Sequence, residues 1–146
     1  GLLQTAKNRS EDLLKILDQI PASQRTEKTL TNLGRCYLLL AQIHFLEWVH
    51  DEERPDEVTL DLYEAFEYLL DAESIPKVRK QLLELKITMG EAFLEELNWG
   101  LEWDFSTKFR ILEVHPLFNQ ELKKQDLENL VATWRDELRT SMLELK

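Results

Sequence analysis

An all-α domain is predicted, and three observations predict it. Between Cys36 and Val49 only Gln42, His44 and Glu47 are polar among fourteen residues, with no Gly or Pro to break the run. Elsewhere apolar residues return at three- and four-residue steps, the spacing of one helical face. No stretch alternates apolar and polar residues between turn signals, as a half-buried strand would. The expected architecture is five or six helices, as a bundle or a short irregular helical array, around a central apolar helix at about residues 26–50. A helix apolar on nearly all sides has to be enclosed by others. The same run is too short for a membrane span, which needs about 20 predominantly apolar residues, and Asp51, Glu52 and Glu53 follow it directly.

Taken in order, residues 1–9 carry only Leu2, Leu3 and Ala6 as apolar anchors. A first helix is expected from Ser10, an N-cap residue ahead of Glu11 and Asp12. Its apolar face would be Leu13, Leu14, Ile16, Leu17 and Ile20, and Pro21 would stop it. The central helix follows. Arg54-Pro55 marks a turn, with Asp56 placed to cap a helix over about Glu57–Ala72 that buries Leu62, Phe66, Leu69 and Leu70. Ser74-Ile75-Pro76 reads as cap and first turn of the next helix. That helix carries Val78, Leu82, Leu85, Met89 and Phe93, widened by Leu83, Ile87, Leu94 and Leu97.

Residues 98–119 read as irregular, with Gly100 and Pro116 as breakers and a short helix at 106–113. A last helix, about Asn119–Leu145, shows one seam of Leu127, Leu130, Trp134, Leu138, Met142 and Leu145. Gly34 and Gly90 stand inside helical patterns, where each costs roughly 1 kcal/mol relative to Ala. Close approach of a neighbouring helix is the expected compensation. Leu46-Glu47-Trp48 recurs as Leu101-Glu102-Trp103 and Glu64-Ala65-Phe66 as Glu91-Ala92-Phe93, but the separations share no period, so a repeat array is not expected.

The length of 146 residues fits a single domain. A start at Gly1 and an end inside a helical pattern at Lys146 lead us to expect a domain cut from a longer chain. One cysteine allows no internal disulfide, so an intracellular protein is expected, cytoplasm and nucleus not being distinguished.

Charge is the most uneven property of the chain. The formal net charge is −10, which disfavours direct contact with nucleic acid or anionic membrane. From Glu47 to Glu73 there are eleven acidic residues and one base, Arg54; the other 119 residues hold seventeen of each sign. The acidity is therefore confined to one segment.

Catalytic constellations are missing. Cys36 lies in an apolar helix, where a thiol is an inert packing group. Glycines at 1, 34, 90 and 100 cannot build a phosphate loop or a dinucleotide fingerprint. No enzyme, metal or cofactor is expected. The leading expectation is a non-catalytic protein–protein interaction module, a scaffold or adaptor element of a larger intracellular protein or complex, docking a partner with a basic surface. Its contact residues would be Asp51, Glu52, Glu53, Asp56, Glu57, Asp61, Glu64, Glu67 and Asp71, joined by Trp99, Trp103 and Phe105, because exposed aromatics concentrate binding energy.

Two alternatives belong to other classes. Glu47-x-x-His50, with His44 one turn earlier and His115 downstream, has the helical spacing of a metal-dependent bundle enzyme, although a second Glu-x-x-His is lacking. A small-ligand-binding regulator would use Trp48, Trp99 and Trp103.

Overall fold

The computed structural model describes the backbone of residues 1–50, 55–102 and 124–146. Within these helices the side chains of 55–63, 96–102, 124–127 and 130 are not described. Five helices make up the described residues: α1 (Leu2–Asp18), α2 (Glu27–His50), α3 (Pro55–Ala72), α4 (Arg79–Glu102) and α5 (Lys124–Leu145). Single 3-10 turns at Ala22–Gln24 and Pro76–Val78 link α1 to α2 and α3 to α4. No strand occurs among the described residues, and the all-α array is as expected. None of their helices is long and apolar enough to cross a membrane.

The central helix is the one read from the apolar run. Leu33, Gly34, Cys36, Leu38, Leu40, Ala41, Ile43, His44 and Phe45 are buried along it. Each neighbour meets a different sector. α1 lies antiparallel on one side, where Lys7 meets Glu47 and the Cys36 thiol donates to the Ser10 carbonyl at 3.1 Å. α3 covers the next sector through Tyr68, Ala65 and Leu69, and the Pro76–Val78 turn covers Gly34. Enclosure is incomplete: Leu39 (47% exposed) and Val49 (45%) stay in water on one side of α2, and Leu30 (38%) is partly open near its start.

A second layer joins on through aromatic rings. Phe66 of α3, Phe93 of α4 and Trp134 of α5 meet pairwise with centroids 5.1–5.6 Å apart, Phe93 edge-on to both partners. α5 runs antiparallel to α4. Arg79 grips Glu144 with two nitrogens, at 2.6 and 2.9 Å, and reaches Glu73 at 2.7 Å, while Lys86 reaches Glu137 at 3.1 Å. Three helices are thereby tied at one end. The two carboxylates hold the Arg79 guanidinium protonated even more firmly than usual, and Arg79 in turn keeps Glu144 ionised.

Several local expectations need correction. α1 begins at Leu2, not Ser10; Ser10 is buried in mid-helix and makes a tertiary contact through its carbonyl. Of the expected α1 face, Leu17 is buried, but Leu13 and Ile16 are 46% and 62% exposed. Arg25, reaching back to the Ile20 and Asp18 carbonyls, caps the end of α1. Ser74 makes no cap; Ile75 occupies the N-cap of the 3-10 turn, and no side chain caps it. Leu70 lies outside the α3 core at 58% exposed. α4 continues through Gly100 to Glu102, so that glycine breaks nothing. Among the described side chains of α5 the seam is Val131, Trp134, Leu138, Ser141 and Leu145, and Met142 falls beside it; Leu127 and Leu130 lie outside the described side chains. The short helix expected at 106–113 lies outside the described residues.

Both interior glycines sit at close approaches. A Cβ on Gly34 would lie 2.8 Å from Val78 Cγ2 and 3.1 Å from Ile75 Cγ2, both on short, buried β-branched side chains. A Cβ on Gly90 would meet the tip of Leu138. Alanine at position 34 gains roughly 1 kcal/mol of helix propensity, and displacing Val78 and Ile75 costs about 1–3 kcal/mol. Gly34→Ala should therefore lower the urea midpoint. Gly90→Ala should lower it less, because the Leu138 side chain can rotate away. Phe93→Ala, which empties the ring junction, should cost about 3–5 kcal/mol in the same measurement.

Candidate functional site

Three acidic residues of α3 gather on the side of the helix that adjoins α1. Glu64, Glu67 and Asp71 occupy one helical face, at steps of three and four. Opposite them, Glu11 and Asp18 stand seven residues apart on α1, two turns along one face. Both helices flank α2, and the α2 residues lying between them are Tyr37 and His44, again seven apart. Tyr68 of α3 joins them. Its ring stacks on His44 at 5.6 Å (18° between planes) and on Tyr37 at 6.4 Å (30°), giving a row of three rings.

His44 is the most enclosed member, 1% exposed. Its Nε2 lies 3.2 Å from Glu64 Oε2, within ion-pair distance, although the ring N–H is not aligned on that oxygen as a hydrogen bond requires. Glu64 itself remains 41% exposed.

Electrostatics here run against ionisation of three groups, Asp71, Tyr68 and Tyr37. Partial burial raises the Asp71 carboxyl, and the charges of Glu67 and Asp18 push it further the same way. Burial also raises the Tyr68 hydroxyl, with Glu11, Glu64 and Asp71 adding to it. Tyr37 is raised by burial and by Asp18 and Asp71, with Arg25 opposing. Carboxylates from two helices thus repel one another across half-buried rings. The Cys36 thiol, behind this row, is raised by burial and by Asp18, so it stays protonated and donates to Ser10.

The structure places the expected contact residues unevenly. Glu64, Glu67 and Asp71 come together. Asp56, Glu57 and Asp61 belong to α3, but their side chains are not described, and Asp51, Glu52 and Glu53 lie outside the described residues. Trp99 belongs to the last turn of α4, helical and not irregular as expected; Trp103 and Phe105 lie outside the described residues. Glu11, Asp18, Tyr37 and Tyr68 were missed. The seven-residue spacing of Glu11 and Asp18 was visible in the sequence, but not that α1 would bring them near Tyr37 of α2 and Tyr68 of α3.

The histidine and carboxylate set of the metal reading is not brought together. His44 turns to Glu64 on α3, Glu47 turns to Lys7 on α1 at 3.5 Å, and His50 is exposed at the end of α2. His115 lies outside the described residues. Among those described, no three His, Cys, Asp or Glu side chains are grouped to hold a metal ion. Of the tryptophan trio, Trp48 packs on Phe45 at 5.9 Å; Trp99 and Trp103 are not described at the side-chain level. A separate shallow groove of about 290 Å³ is lined by Leu30, Thr31, Ile75 and Pro76, with the Glu27–Lys77 ion pair (3.1 Å) at its edge.

No protein-family model matches the chain, and no curated protein or solved structure matches it significantly.

Two measurements test this electrostatic picture. The folded Asp71 carboxyl titrates above the ordinary 3.8, so as pH rises the unfolded state loses this proton first and stability falls across that window. Below it the cost is absent, and above the raised value it is complete. Asp71→Asn should therefore raise the melting temperature at pH 7, and the gain should vanish near pH 3. For Cys36, alkylation by iodoacetamide should be slow in the native protein and speed up sharply in denaturant.

Proposed function

We propose that the chain is a non-catalytic protein–protein interaction module of a larger intracellular assembly, and that it docks a Lys/Arg-rich segment of its partner against the acidic side of α3. The observation that carries this reading is the placement of Asp18 on α1 near Glu67 and Asp71 on α3, beside half-buried tyrosines, where burial and then the repulsion of those two charges raise the Asp71 carboxyl. An isolated protein bears that repulsion as a cost. A cation placed between α1 and α3 removes it. A basic segment also answers the −10 charge concentrated between Glu47 and Glu73, which would speed its encounter and select it over acidic competitors.

A synthetic Lys/Arg-rich peptide titrated into the isotope-labelled protein tests the reading. Amide shifts should gather on α1 and α3 around Glu11, Asp18, Glu67 and Asp71. Binding should weaken steeply between 0.05 and 0.5 M salt, where the screening length falls from roughly 14 to 4 Å. The double variant Glu67→Lys, Asp71→Lys should weaken the peptide by at least about tenfold without lowering the melting temperature, since it relieves a repulsion. Unchanged affinity in that variant, or shifts centred elsewhere, would overturn the proposal.

A further inference from the structure

We draw no further inference here: the strongest candidate, the exposed apolar face that Leu13 and Ile16 on α1 and Leu39 and Val49 on α2 present to solvent, carries none because nothing in the structure shows what covers it.

Discussion

The structure depends on the impossibility of leaving α2 in water. Nine of its residues between Leu33 and Phe45 are buried, and a helix with so little polar surface cannot be satisfied by a single neighbour. It therefore recruits α1, α3 and the turn into α4, each onto its own sector. Where a neighbour comes closest, at Val78, α2 has a glycine. Removing that side chain lets the start of α4 rest against the helix backbone, and this fixes where the α4–α5 layer begins.

That arrangement has an electrostatic consequence. Two helices that pack on neighbouring sectors of a third can bring charged side chains within electrostatic reach of one another, as Asp18 and Asp71 are. α1 and α3 both carry carboxylates on the facing side, so burial of apolar surface forces like charges together. Hydrophobic burial at roughly 25 cal/mol per Å² easily outweighs a few screened repulsions at a partly wet surface. The fold therefore tolerates the strain, and the strain shows in the raised Asp71, Tyr37 and Tyr68 groups.

What was legible in the sequence follows from which residues act locally. The apolar run from Cys36 to Val49 announces α2 because nothing nearby offers a competing conformation, and Gly34 and Gly90 announce close approaches because a helix interior otherwise disfavours glycine. Ser10 misleads because its capping tendency is a property of helix ends, whereas the chain before it continues as helix and uses its carbonyl for Cys36. Gly100 misleads in the same way, since one glycine costs less than ending a helix that is already packed. Leu13, Ile16 and Leu70 belong to the apolar pattern yet lie at the edge of their faces, where helix periodicity alone does not separate core from rim. The acidic side was half legible: the α3 carboxylates stand in an obviously acidic segment, but Glu11 and Asp18 come from a region of balanced charge and join them only through tertiary placement.

The acidic segment also divides in a way that composition hides. Glu73, at its end, is answered by Arg79 at 2.7 Å and more loosely by Lys86 at 3.9 Å, and the same two bases reach Glu144 and Glu137 on α5. Those charges are structural, since they hold α3, α4 and α5 at a common end. Asp71, two residues earlier, turns the other way. The groups acting on it are acids, and each pushes its carboxyl upward. Lys77, which a linear reading would set against the α3 acids, pairs instead with Glu27 on α2. Among the described side chains of the segment, nearby bases thus answer Glu73 and, through Lys7 of α1, Glu47. Asp71 differs from both in kind, because burial and its like-charged neighbours Glu67 and Asp18 all raise its carboxyl.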